Sequence, residues 1–383
     1  MAYASAPNVE QRAALKRACT TIIPGHPNSA PGAELIAVGE WCRVHGYDAD
    51  VYGSGRLIND FEAKVATLLG KPAAVFMPSG TMAQQIAVRI WAERDKVAAF
   101  GMHPTCHLEL HEQQGYAFLH QLKAVHLGAR NVLIAAADIV GLAQNISALV
   151  VELPAREIGG QLPTWNELEA IKQVCRQRNI KLCLDGARLW ESRAFYGDKT
   201  YADICAGFDS VYVSFYKGIG GMAGAMLLGD TNFIAEARIW QRRHGGNLVQ
   251  MLPFVASAAM RFDERIARMP AYFARAQAVS KALAEAAAND ASSVAQLVVN
   301  PNPPQANMLH LHFPVTVAAL EYARDRIAAD EKCWLGAPRA VELPGRSAIE
   351  IYIGENLMGL GDDYVAAQYA KLLDVARTAP SVV

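Results

Sequence analysis

The 383-residue chain carries 36 Lys+Arg against 37 Asp+Glu, a net charge of -1, with 52% hydrophobic residues. That length and apolar content suffice for one large core and a smaller domain, and the balanced charge argues against nucleic acid or an anionic membrane as partner. The seven cysteines include no C-x-x-C pair, and no apolar run is long enough to span a bilayer or follows a basic leader, so the expectation is a cytoplasmic protein with reduced thiols.

In chain order, residues 1–50 lack clean periodicity. Pro24, Pro27 and Pro31 interrupt the middle, Glu34 to His45 reads as a short helix, and the whole reads as an arm. From residue 51 helical and strand patterns alternate. Leu57 to Leu69 is a helix stopped by Gly70, Ala73 to Met77 a strand, and Met82 to Arg94 a helix after the turn Pro78-Ser-Gly-Thr. Further short apolar strands are expected at Val97–Phe100, Val125–Leu127, Ala148–Glu152, Leu182–Leu184 and Val211–Ser214, with helices at Leu108–Leu122 and Glu167–Arg178. This alternation predicts an α/β domain over 51–255 with a mainly parallel, helix-covered sheet. An alanine-rich helix from Val255 to Ala288 then connects to a small α+β domain within 256–383. Its expected strands are Val294–Val299, Met308–Phe313 and Ile349–Ile353, and its helices Val317–Ala329 and Tyr364–Val375.

Chemistry concentrates where the strands end. Lys217 follows the apolar run Val211-Tyr212-Val213 and precedes Gly218, Gly220 and Gly221. Burial at such a turn lowers an amine's pKa and frees its lone pair for Schiff-base chemistry, although an ordinary surface lysine is the commoner case for a lone residue. Asp185 ends the preceding strand, Leu182-Cys183-Leu184, on the sheet edge where ligands of open α/β sheets bind. A buried carboxylate there needs a cation, and a protonated pyridine nitrogen is one. Arg188 offers a planar fork for a carboxylate.

Ser79, Gly80 and Thr81 open a helix and face any anion at its N-terminus, or simply cap it; Ser214 offers another hydroxyl. His103, His107 and His111 recur every four residues, which invites a zinc reading, but Pro104 removes His103 from a shared helical face. His103 and His111 read as hydrogen-bonded polar residues, and His107 as a ring lying flat against an aromatic ligand.

The ordered set Tyr52-Gly53, Ser79-Gly80-Thr81-Met82-Ala83, His107…Glu112, Glu152…Gly159-Gly160-x-Leu-Pro163, Asp185-Gly-Ala-Arg188-Leu and Ser210-Val…Lys217-Gly resembles the threonine aldolase and β-eliminating lyase family. The resemblance runs over about residues 50 to 260. It implies a pyridoxal-phosphate (PLP) enzyme of the aspartate aminotransferase fold (fold type I). It also implies cleavage of the Cα–Cβ bond of a β-hydroxy-α-amino acid to glycine and an aldehyde; β-elimination, transamination and a non-catalytic module are the alternatives.

By position, the resemblance makes Lys217 the Schiff-base lysine, Asp185 the pyridinium partner, His107 the stacking ring, and Ser79, Gly80 and Thr81 the phosphate cradle. Ser214 joins the cofactor residues, Arg188 grips the substrate carboxylate, and His107 and His111 are candidate bases. Tyr52 is expected to reach a neighbouring subunit's site in a homodimer or homotetramer, and no metal is expected.

The chain departs from the family pattern in four places. Glu350 stands where an arginine is usual, Val249 replaces another arginine, Tyr216 precedes the lysine, and Ser54-Gly55-Arg56 replaces an acidic stretch. Arg56, Arg242, Arg243 and Arg346 are candidates to restore the charge.

Overall fold

The computed structural model describes residues 7–27, 29–289 and 297–380. The chain forms two compact units, residues 29–269 and residues 1–28 with 270–383. The division falls inside the helix Leu252–Asn289, at Pro270. The limits of these units are at 28/29 and 269/270, where the sequence led to an expectation of 50/51 and 255/256. A continuous helix gives no composition shift that marks such a boundary.

The larger unit holds a seven-stranded sheet. Its strands in chain order are β1 Ala73–Met77, β2 Ala99–Met102, β3 Lys123–His126, β4 Ala148–Glu152, β5 Lys181–Gly186, β6 Ser210–Ser214 and β7 Ala225–Gly229. Their spatial order is β1-β7-β6-β5-β4-β2-β3. The β6, β5, β4, β2 and β3 neighbours are parallel, while β7 runs antiparallel to both β1 and β6. The sequence reading did not include β7 or the helix Thr231–Arg243 that follows it. Ala225-Met-Leu-Leu-Gly is short and comes straight after the glycine-rich turn, so it reads as a continuation of that loop.

All five residues of β6 and β7 are buried, as strands covered on both faces must be. The helix Gly80–Asp95 buries Ala83, Ile86, Ala87, Ile90 and Trp91 in the core that includes Val75, Phe100, Val150 and Leu227. Burying such a side chain stabilises by about 1.5–3 kcal/mol. Trp91 also donates its indole N–H to Ser210 Oγ at 3.1 Å, which ties this helix to β6.

The expected helix Leu108–Leu122 is broken into His107–Leu110 and Gly115–His120. Gln113 and Gln114 between them both adopt φ of 52°, a left-handed conformation uncommon for non-glycine residues.

The smaller unit has an antiparallel sheet of β8 Val298–Asn300, β9 Met308–Phe313, β10 Pro338–Ala340 and β11 Ser347–Tyr352, in the order β10-β11-β9-β8. Helices Val317–Glu331 and Asp362–Arg377 belong to the same unit. Residues 294–296 of the expected strand Val294–Val299 lie outside the described residues. Glu350, on β11, lies 3.7 Å from Arg339 and 3.6 Å from His310, so its charge is met within this sheet. Among the described residues no helix is long and apolar enough to cross a membrane.

Candidate active site

The carboxyl ends of β4, β5 and β6 deliver the chemistry. Glu152 closes β4, and its neighbour in the parallel register is Asp185 on β5. Both carboxylates therefore project at one level of the sheet edge. Lys217 follows β6 after two further residues. Around one cleft the structure gathers Lys217, Asp185, Arg188, His107 and His111 with Glu152, Pro154, Arg156, Glu157 and Ala187. Five of the predicted site residues thus converge.

The electrostatics follow from burial. The Lys217 amine is pulled down to about 8, by desolvation first and the Arg188 cation second, against the opposing pull of Asp185 and Glu191. Burial pushes the Asp185 carboxyl up, countered chiefly by Lys217, while Ala187 N–H donates to its Oδ1 at 3.0 Å. Glu152 is raised as well, by burial and then by Asp185 beside it. Two carboxyl groups this close and this dry do not both ionise easily, so the pair retains a proton to higher pH.

Two histidines line the cleft with rings 5.1 Å apart. His107 Nδ1 meets Glu112 Oε1 at 2.9 Å, and its backbone N–H donates to Glu152 Oε1 at 3.0 Å. Glu112 is buried and also accepts the side-chain amides of Gln84 (3.2 Å) and Gln85 (3.0 Å). His111 Nε2 meets Glu157 Oε1 at 2.9 Å, and the same oxygen accepts from Arg156 Nη1 at 2.9 Å. His103 is apart from both, its ring held by Thr105 Oγ1 and by the carbonyls of Ala129 and Val132. Among the described residues no group of three or more His, Cys, Asp or Glu side chains is arranged to hold a metal ion.

Other predicted residues stand outside that lining. Ser79 caps the helix Gly80–Asp95, its Oγ accepting from Met82 N–H at 3.3 Å. Thr81 is exposed in the first turn. Gly80 has no room for a side chain, since a Cβ there would lie 1.9 Å from the Tyr212 hydroxyl oxygen. Ser214 is fully buried and its Oγ has no hydrogen-bond partner among the described residues. A helix N-terminus with an uncommitted hydroxyl on a neighbouring strand end fits an anion such as phosphate. Tyr52 is half-exposed at φ 50°, its N–H donating to the carbonyl of Val249. Of the candidate compensating arginines, Arg56 binds the carbonyls of His45 and Gly46 at a helix end, and Arg243 lies over the Trp240 ring.

A family model for the beta-eliminating lyases matches residues 43–311. The chain belongs to this family. Among solved structures, a Listeria monocytogenes protein proposed to be an L-allo-threonine aldolase is 38% identical, with a TM-score of 0.83 over 94% of this chain and 98% of that one. An Exiguobacterium protein proposed as an aromatic amino acid beta-eliminating lyase/threonine aldolase is 37% identical, with a TM-score of 0.84 over 94% and 99%. The low-specificity L-threonine aldolase of Candida albicans is 29% identical over 57% of this chain and 60% of its own length, so the match spans about three fifths of that relative. Serine palmitoyltransferase of Sphingomonas wittichii, 13% identical with a TM-score of 0.66, shares the fold. The family chain has the fold type I architecture expected from its sequence, with the small antiparallel domain at its C-terminal end.

The sequence reading assigned no role to Glu152, Arg156 or Glu157. Glu152 ends an apolar strand just as Asp185 does, and the same reasoning applies to it. Arg156 and Glu157 sit in a short 3₁₀ turn, Arg156–Ile158, ahead of Gly159 at φ 90°, and nothing in their spacing marks them.

Proposed function

We propose that the protein is a PLP-dependent aldehyde-lyase that cleaves a β-hydroxy-α-amino acid to glycine and an aldehyde. The observation that carries this reading is the convergence of Lys217, Asp185, Arg188 and two carboxylate-tethered histidines on one cleft at the carboxyl edge of the sheet. Kinship with L-threonine aldolases supports the reaction class.

The fit of the residues to the cofactor supports its assignment. Lys217 has an amine already shifted toward its nucleophilic form. Asp185 is a buried carboxyl group at the sheet edge suited to a cationic ring nitrogen, and the Gly80–Asp95 helix start with Ser214 Oγ suits a phosphate. When bound, PLP supplies an electron sink for the pair left on Cα as the bond to Cβ breaks.

The chain does the rest. Lys217 would hold the cofactor through its amine. Asp185 would pair with the pyridine nitrogen, and His107, its edge fixed by Glu112, would offer a face to the ring. Arg188 binds the α-carboxylate. His111, whose ring is partly open to solvent, takes the β-hydroxyl proton, worth about 10²–10⁴ in rate for a positioned base. Tyr52 contributes from a neighbouring subunit in a homodimer or homotetramer, and the enzyme works in the cytoplasm. β-Elimination is the second reading, favoured by the kinship with the Exiguobacterium protein.

The test is reconstitution of purified protein with PLP and borohydride reduction, alongside assay of aldehyde release from threonine and phenylserine. The wild type should retain a reduced cofactor adduct and Lys217→Ala should retain none. An adduct that persists in that variant would point to another lysine. Release of ammonia and an α-keto acid in place of an aldehyde would transfer the protein to the elimination reading.

A further inference from the structure

Arg188 is not the only guanidinium on the cleft wall. Arg156, from the turn after β4, lines the same cavity as Lys217, and its charge joins that of Arg188 in lowering the Lys217 pKa. Its Nη1 is held at 2.9 Å by Glu157, a carboxylate whose side chain is 8% exposed, which fixes where the fork points. Glu157 is fixed in turn by His111. An arginine braced in this way keeps its planar donors oriented at little entropic cost, which is what recognition of a carboxylate requires.

The cavity wall carries three basic side chains, Lys217, Arg156 and Arg188, beside the carboxyl groups of Asp185, Glu152 and Glu157.

We propose that Arg156 acts with Arg188 as a two-arginine clamp for the α-carboxylate of the amino-acid substrate, with Glu157 as the residue that positions it. This rests on the amino-acid reading above. It assigns the substrate's carboxylate to two residues of the large unit.

The experiment is an equilibrium titration of PLP-loaded wild type, Arg156→Lys and Arg156→Ala, followed by the visible spectrum, with glycine and with glycinamide. Glycinamide keeps the amine and lacks the negative charge. Arg156→Ala should weaken glycine binding about 10- to 100-fold while changing glycinamide little, and Arg156→Lys should fall between. In the cofactor-free protein, Arg156→Ala should also raise the pH at which Lys217 reacts with an amine reagent, because a nearby cation has been removed.

Equal loss of glycine and glycinamide would overturn the assignment in favour of a structural role. So would a loss confined to substrates with a carboxylate in the side chain, such as 3-hydroxyaspartate. Wild type that takes up PLP and ignores glycine would overturn the amino-acid reading along with the clamp, whereas glycine binding unaffected in Arg156→Ala would overturn the clamp alone.

Discussion

The two histidine–carboxylate pairs of the cleft have the same 2.9 Å contact and opposite surroundings. His107 uses Nδ1 toward Glu112, whose side chain is fully buried and receives two glutamine amides as well. His111 uses Nε2 toward Glu157, and its own side chain is 39% exposed. A carboxylate that accepts from one ring nitrogen leaves the other facing away from it. The inner pair is a wall, with every member fixed by a buried partner. The outer pair sits where protons can be exchanged with water. The chemistry of the side chains is identical, so in the proposed reading burial divides the work between them.

If that division holds, His111→Ala should lower kcat by about 10²–10⁴, the range for loss of a positioned general base, while leaving the absorbance and affinity of bound PLP unchanged. Steady-state kinetics beside a cofactor titration measures both. A His111→Ala enzyme within threefold of wild type would move the base to His107 or to a water, and the comparison would have to be reversed.

The same substitution in the two carboxylates should separate them by stability. Glu112 accepts from three donors: His107 Nδ1 and the amides of Gln84 and Gln85. Glu112→Gln places an NH₂ group among those donors in a buried site, and should cost about 3 kcal/mol in urea unfolding of the cofactor-free protein. Glu157→Gln, nearer the opening, should cost under about 1 kcal/mol. Equal losses would mean that the two pairs are equally embedded.

The sequence was most informative where a charged residue closes an apolar strand. Lys217 and Asp185 are conspicuous because an ionisable group after Val211-Tyr-Val or Leu182-Cys-Leu conflicts with its surroundings unless something binds there. Glu152, which closes Ala148-Leu-Val-Val, carries the same signal. The Glu112 network could not be read from periodicity. It depends on the two left-handed residues, Gln113 and Gln114, between the two short helices and on Gly115, where a Cβ would lie 2.5 Å from the Gln85 amide nitrogen. A pattern of apolar residues predicts one helix across this stretch, and tertiary contacts override it. Likewise the helix Leu252–Asn289 is legible as a helix, while the change of unit at Pro270 falls inside it.

The smallest effect is expected at the inner ring itself. In the proposed reading His107 contributes a flat face to the cofactor, and stacking of that kind is worth about 0.5–1.5 kcal/mol beyond area burial. His107→Phe keeps the face and loses the bond to Glu112, whereas His107→Ala loses both. PLP affinity should therefore fall about tenfold in His107→Ala and recover most of that in His107→Phe, with kcat in the phenylalanine variant staying close to wild type. A phenylalanine variant that binds PLP normally but has lost turnover would show that the inner ring also carries protons, because a phenyl ring can stack and cannot accept one. The fixed wall and the proton carrier would then be the same residue, and the exposed ring of His111 would be left with positioning Glu157 against Arg156.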